Sequence, residues 1–300
     1  LYQNLLTKTF VEGQGSASSQ VMDERYIDQA LAASTLSRPL KVVVDCGNGV
    51  AGEMAPALLT KLGCDVIPLF CEIDGDFPNH HPDPAEPENL VDLIAAVKAE
   101  QADVGLAFDG DGDRLGVVTP TGEIIWPDKM MMLFVEDICA RVPDSTVIFD
   151  VKCSRNLEQV IVQSGGKPLM WKTGHSHMKA KIKETNAAIA GEFSGHICFL
   201  ERWYGFDDAL YTAVRLLELL SATEQNVDEV FAKYPSTFTT PELKILTSET
   251  HKFWVMDQLR ANADFGGGRL TLIDGIRVDF EDGWGLIRPS NTSPVLSLRF

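Results

Sequence analysis

Apolar and polar positions along this chain switch repeatedly between strand-like runs and helical spacing. Leu40–Asp45 is a nearly unbroken apolar run that ends in a carboxylate, which predicts a buried strand. A helical pattern precedes it over Arg25–Ala33, and another follows over Pro56–Leu62. Asp65–Phe70 reads as the next strand. A Pro-rich loop, Phe77–Pro87, then leads to a helix over Leu90–Glu100 and a strand over Val104–Phe108. Strands alternating with helices at this spacing predict βαβ units and a parallel sheet.

The pattern then repeats weakly. Val147–Asp150 echoes the strand ending at Asp45, 105 positions earlier, and Ser164–Met170 echoes the helix end, glycine and strand at Leu62–Ile67. Ala188–Gly195 echoes Gly105–Gly110 as a strand running into a Gly-bearing loop. After about residue 236 short strands crowd together (Leu243–Leu246, Leu270–Ile273, Ile276–Phe280, Gly285–Arg288, Val295–Phe300), with one helix over Lys252–Ala261 and Asp-Gly turn signals at 274–275 and 282–283. The fold class expected is α/β: two related domains with mixed, largely parallel sheets (21–123 and 124–235), plus a smaller C-terminal α+β domain (236–300). Residues 1–20, with the small polar stretch 13–20, read as a linker.

Composition narrows the partners. Hydrophobic residues make up 45% and charged residues 23%, as in a globular protein, and the apolar run Met130–Val135 is too short to span a bilayer. A net charge of −17 argues against nucleic acid or an anionic membrane as partner. A phosphorylated ligand would need local Lys, Arg or helix N-termini to reverse that field. The six cysteines (46, 64, 71, 139, 153, 198) form no C-x-x-C pair, so reduced thiols and a cytoplasmic location are expected.

Four loops carry candidate chemistry. In Ala107–Arg114, three aspartates (Asp109, Asp111, Asp113) alternate with glycines directly after a strand. Glycines let the backbone curl so that the carboxylates converge on one hard cation. An exposed acidic turn would not need this regularity. A calcium loop of the EF-hand type fails because Arg114 and Pro120 stand at its sixth and twelfth positions. Arg114 beside the acids suggests a phosphate oxygen shared with the metal. Gly191–His196 offers Glu192, Ser194 and His196 on a Gly-framed turn, suited to sugar hydroxyls. Lys172–His177 (Lys-Thr-Gly-His-Ser-His) offers hydrogen bonds or a proton from His175, or only ordinary loop residues, and Lys152 lies at the end of a predicted strand. Arg288–Pro294 follows an arginine with three small hydrogen-bonding side chains, a compact receptor for an oxyanion.

Together, in this order, these loops resemble the α-D-phosphohexomutases, from about residue 21 to the end, with the bacterial phosphomannomutase/phosphoglucomutase branch fitting best. Val44–Gly52, Phe77–Pro84 and Lys172–Ser176 also match landmarks of that family. The resemblance implies a four-domain, monomeric enzyme interconverting hexose 1- and 6-phosphates (mannose or glucose) through a phosphoserine and a bisphosphorylated sugar. It implies Mg²⁺ on Asp109, Asp111 and Asp113, and Arg114 on the transferring phosphate. Glu192, Ser194 and His196 would hold sugar hydroxyls, and Lys152, Thr173, Gly174 and His175 would touch substrate, with His175 counted beside Arg114 as catalytic. Arg288, Ser290, Asn291 and Thr292 would hold the second phosphate. The family's Ser-His-Asn-Pro nucleophile loop does not occur in these 300 residues. Residues 1–20 then read as the remnant of a preceding domain, the last domain as lacking its closing helix, and the fragment as inactive alone. A non-catalytic phosphosugar-binding module and a metal-dependent phosphatase are the rivals outside the family. Within it the rival is phosphoglucosamine mutase. Phe193 stands where that group usually carries a polar residue, which favours mannose and glucose phosphates.

Overall fold

The computed structural model describes residues 1–300. A short helix, α1 (Tyr2–Thr7), buries none of its residues, so part of the expected linker is helical. The first α/β unit comprises α2 (Asp23–Ala32), β1 (Lys41–Asp45), α3 (Ala51–Leu62), β2 (Asp65–Leu69), α4 (Val91–Glu100), β3 (Val104–Phe108), β4 (Leu115–Val118) and β5 (Ile124–Ile125). Its sheet runs β2-β1-β3-β4-β5, the first three strands parallel, β4 antiparallel to β3 and β5 antiparallel to β4.

The second unit comprises α5 (Pro127–Arg141), β6 (Thr146–Asp150), α6 (Arg155–Gln163), β7 (Lys167–Trp171), α7 (His175–Thr185), β8 (Ile189–Gly191), β9 (Ile197–Phe199), α8 (Ala209–Ser221) and α9 (Val227–Ala232). Its sheet, β7-β6-β8-β9, repeats the order and strand directions of the first four strands of the other sheet. The weak sequence repeat is therefore a repeat of topology. The third unit comprises β10 (Leu243–Leu246), α10 (His251–Asn262), β11 (Arg269–Thr271), β12 (Ile276–Asp279), β13 (Trp284–Pro289) and β14 (Val295–Arg299). It forms one antiparallel sheet in the order β10-β14-β13-β12-β11.

Two boundaries differ from the sequence reading for identifiable reasons. The helix expected from Pro56 starts at Ala51, because the Val50 N–H donates to the Gly110 carbonyl (3.1 Å), a contact that local pattern does not reveal. The first unit continues past residue 123. Gly122, at φ 88°, turns the chain so that Ile124 and Ile125 pair with β4.

The two α/β units share one core. Val42, Val44 and Phe108 from the first sheet and Val147, Phe149 and Ile189 from the second all pack into it, together with residues of α3, α5 and α8. Alternate strand residues face outward. Val43 and Ala107 meet Leu93 and Val97 of α4, whereas Ile148 and Ala190 meet Met178 and Ile182 of α7. Burial on both faces explains the continuous apolar runs. Met130–Val135 is buried throughout, as befits a central helix, and no helix is long and apolar enough to cross a membrane.

The third unit packs Met256 of α10 on Ile276, Val278 and Leu296, and turns Trp284 and Leu286 toward Val151 of the second unit. Two buried arginines complete that contact. Arg277 donates to the carbonyls of Val151 (2.7 Å) and Cys153 (2.6 Å), and Arg299 donates to that of Lys152.

On the far side of the second unit, the fully buried Arg215 joins α8 to its surroundings. It pairs with Asp137 (3.0 Å), Glu201 (3.0 Å) and Glu218 (3.1 Å). Replacing Arg215 with Ala strands three carboxylates, all of which water can still reach. We expect a loss of about 3 kcal/mol, the low end for a broken buried ion pair. It would be read as a lower urea midpoint with an unchanged slope. An unchanged midpoint would show that the network adds no net stability.

Candidate active site

Parallel strands bring their C-terminal loops to one edge. Asp109, directly after β3, is buried and organises the loop that follows. Its Oδ1 accepts the backbone N–H of Asp113 (2.9 Å) and of Arg114 (3.0 Å), and its Oδ2 accepts Arg114 Nε (2.6 Å). Gly112, at φ 77°, permits the curl. Ligand oxygens of Asp109, Asp111 and Asp113 consequently lie within 4.8 Å of one another. Burial pushes the Asp109 carboxyl up, against the opposing pull of Arg114. Arg114 is steered from a second side by Asp83 (2.7 Å), a residue within a loop that the sequence reading matched but assigned no role.

The loop after β8 meets this one directly. Arg114 and His196 form an antiparallel bridge, with Leu115 N–H donating to the Gly195 carbonyl (3.3 Å). His196 Nε2 lies 3.3 Å from Asp113, and its Nδ1 lies 2.9 Å from Ser194 Oγ and 3.4 Å from Glu192 Oε2. Burial works against charging this imidazole, but Asp113 and Glu192 outweigh it and raise its pKa. Burial also acts to raise Asp113, yet the His196 contact holds it below the usual carboxylate value. Glu192 is buried, pushed up by that burial. Its Oε1 accepts the Gly174 N–H (2.5 Å), while Oε2 has no hydrogen-bond donor.

Residues 172–177 carry the contacts toward the third unit. Thr173 Oγ1 donates to Asp150 Oδ2 (2.9 Å). The His175 ring lies 5.3 Å from that of His196, with Nδ1 on Asp207 (2.6 Å), which also takes Lys179 (2.7 Å). Asp274 Oδ2 accepts both the Thr173 N–H (3.0 Å) and Arg288 Nε (3.0 Å). Arg288 is buried with Nη2 unpartnered, whereas Ser290 Oγ accepts the N–H groups of Thr292 and Ser293 (both 3.3 Å). Asn291 Nδ2 donates to the Thr173 carbonyl (3.2 Å). All four loops thus form one continuous edge.

Two sequence-based expectations change. Lys152 is buried and ion-paired with Glu242 of the third unit (3.0 Å), so it reaches across a domain contact rather than standing free for a ligand. Phe193, offered as a mark of sugar preference, is buried: it stacks on Trp126 (5.6 Å) and lies under Arg299 (3.4 Å to the ring centre). It therefore cannot read the sugar by direct contact. Asp83 and Asp207 receive no role from sequence because isolated aspartates in loops carry no spacing signal, and Asp150 and Asp274 enter only as a strand end and a turn signal. Asp208, next to Asp207, caps α8 through the Tyr211 N–H (2.9 Å).

Known proteins match this sequence and fold. Residues 24–122, 126–238 and 242–300 match, in turn, the alpha/beta/alpha domain II, the alpha/beta/alpha domain III and the C-terminal domain of phosphoglucomutase/phosphomannomutase. The chain is 56% identical, over all 300 residues, to a phosphomannomutase/phosphoglucomutase of Pseudomonas putida, of which it spans 65%. It is 51% identical over 289 residues to a phosphoglucomutase of Neisseria gonorrhoeae, spanning 63% of it. Its fold matches the crystal structure of a phosphoglucomutase/phosphomannomutase family protein from Burkholderia thailandensis with a TM-score of 0.94 at 50% identity, across all of this chain and 64% of that one. Three successive domain matches, and identity at half or more of the aligned positions, establish that the chain belongs to the phosphoglucomutase/phosphomannomutase family.

Proposed function

We propose that this chain is the metal-, sugar- and phosphate-binding part of a phosphohexomutase that interconverts the 1- and 6-phosphates of mannose and glucose through a bisphosphorylated sugar. The observation that carries this reading is a pair of arginine sites on one edge. Arg114 stands with the aspartate cluster, and Arg288 holds a buried, unpartnered Nη2. Glu192, Ser194 and His196 lie along the same edge. A phosphatase needs one phosphate site, whereas a mutase must hold a phosphate at each end of a sugar that reorients. The names of the relatives at 51–56% identity support mannose and glucose as the sugars.

The donor set of Asp109, Asp111 and Asp113 is three hard carboxylates at one point, which suits Mg²⁺. Bound there, the ion would supply Lewis-acid stabilisation of charge on a transferring phosphoryl group. Arg114, held by Asp109 and Asp83, would point its remaining N–H groups at that phosphate. His196 and Glu192 would bind adjacent ring hydroxyls, the Glu192 Oε2 lone pairs being free to accept. His175, oriented by Asp207, would donate to the substrate. Arg288, Ser290, Asn291 and Thr292 would bind the non-reacting phosphate. Six free thiols fit a cytoplasmic protein.

Three outcomes test this reading. Asp111→Asn removes an exposed ligand that makes no internal bond, so Mg²⁺ affinity should fall sharply with little change in thermal stability; unchanged affinity by calorimetry would reduce the loop to a surface turn. Glu192→Ala should weaken binding of glucose 1-phosphate by about 10- to 150-fold, the equivalent of losing roughly 1.5–3 kcal/mol from a hydrogen bond to a charged group. Parent-like affinity would remove Glu192 from the sugar site. Finally, the 300-residue chain, which has no Ser-His-Asn-Pro loop, should bind mannose 1-phosphate yet fail to convert it in a coupled assay with a bisphosphosugar activator. Robust turnover would require a nucleophile elsewhere in these residues.

A further inference from the structure

Four of the six cysteines (64, 139, 153 and 198) follow the expectation of buried, inert thiols, but Cys46 and Cys71 lie together. Their sulfurs are 3.6 Å apart, where β1 and β2 emerge side by side. Cys46 is fully buried and Cys71 partly exposed, so an oxidant reaches Cys71 first. We propose that Cys46 and Cys71 form a reversible disulfide under peroxide and that closing it loosens the metal loop.

The chemistry balances with hydrogen peroxide as the two-electron oxidant. Cys71, as thiolate, attacks the O–O bond and becomes a sulfenic acid, and the departing hydroxide takes a proton to leave as water. The Cys46 thiol then attacks the Cys71 sulfur, forming the S–S bond and releasing a second water. Two thiols are oxidised, and one peroxide is reduced to two waters.

The consequence follows from what surrounds the pair. Closure brings the sulfurs from 3.6 Å to about 2.05 Å. Cys71 cannot supply that movement through its backbone, because its carbonyl lies against Gly52; a Cβ there would sit 2.1 Å from the oxygen. The 46–49 turn must move instead. Gly47 and Asn48 already adopt positive φ (49° and 63°), and Asn48 is bonded on both sides, to Glu72 (2.8 Å) and Asn79 (2.8 Å). The next residue, Gly49, abuts the backbone of Asp109 and Gly110 so closely that a Cβ would lie 2.9–3.0 Å away. Displacing this turn therefore displaces the backbone that presents Asp109 and Asp111.

The disulfide itself does not depend on the proposed mutase function; only the effect on metal does, and the two are read separately. The chain is treated with hydrogen peroxide, then analysed by intact mass and by peptide mapping without reduction. The expected product has lost two hydrogens and yields a Cys46–Cys71 cross-linked peptide that reductant cleaves. Mg²⁺ affinity should fall by about 10-fold on oxidation, the scale of disturbing the shell behind a ligand, and recover on reduction. Cys71→Ser should bind Mg²⁺ like the reduced parent and ignore peroxide. Cys46→Ser should instead accumulate a Cys71 sulfenic acid trappable by dimedone. Retention of both free thiols while another cysteine is oxidised would overturn the pairing. A cross-link that leaves Mg²⁺ affinity unchanged would overturn its coupling to the metal loop. If the parent shows no Mg²⁺ binding in either state, the metal reading fails and the disulfide stands on its mass.

Discussion

Negative charge buried at the ends of parallel strands is the constraint around which this molecule is arranged. Asp45 ends β1, Asp109 follows β3, Asp150 ends β6 and Glu192 follows β8, all nearly inaccessible to water in a chain of net charge −17. An unpaired buried carboxylate is prohibitively costly, so each must recruit donors. Each takes backbone N–H groups. Asp45 accepts from Gly47 (2.9 Å), Asp109 from Asp113 and Arg114, Asp150 from Lys152 (3.2 Å) and Phe193 (3.3 Å), and Glu192 from Gly174. Neutralising the charge and shaping the loop are thus one event. His80 hydrogen-bonds to Asp45, and the Arg114 guanidinium neutralises Asp109.

The same logic joins the third unit to the second. The turn after β6 is bent by Asp150, which leaves the carbonyls of residues 151–153 facing outward. Arg277 and Arg299, on the two strands that flank β13, take all three. Their guanidinium planes lie over Trp284 (4.2 Å) and Phe193 (3.4 Å), so the charges are sheltered as well as bonded. Phe193 belongs to the sugar-loop segment, and Lys152 to the turn. The contact between units therefore bears on both the candidate sugar loop and the candidate phosphate loop, through Asp274 between Thr173 and Arg288.

Duplication explains why the site lies where it does. Both α/β units place their third parallel strand beside an antiparallel one, so each sends a candidate loop out at the same place. Packed through a common helical core, the two units bring those loops into contact at Arg114 and His196. A carboxylate of one unit then tunes the imidazole of the other: Asp113, together with Glu192 of His196's own loop, raises His196 above its ordinary value despite its burial. Neither loop alone has that property.

The sequence by itself determined the alternation of strands and helices, the internal repeat and the residue types at three of the loops. These are local: a run such as Lys41–Asp45 is apolar because both faces are covered, and Asp-Gly-Asp-Gly-Asp-Arg carries its convergence in its own spacing. The family resemblance rested on the same motifs. Tertiary structure alone decided the start of α3, because the Gly110 carbonyl that caps Val50 lies 60 residues away. It alone decided that Lys152 pairs with Glu242 and that Phe193 turns inward. It brought Asp83, Asp207 and Asp274 to Arg114, His175 and Arg288. A single aspartate in a loop has no period or spacing to announce it. Its role is set by which donor the fold carries to within about three ångströms, and that distance exists only once the unit around it has folded.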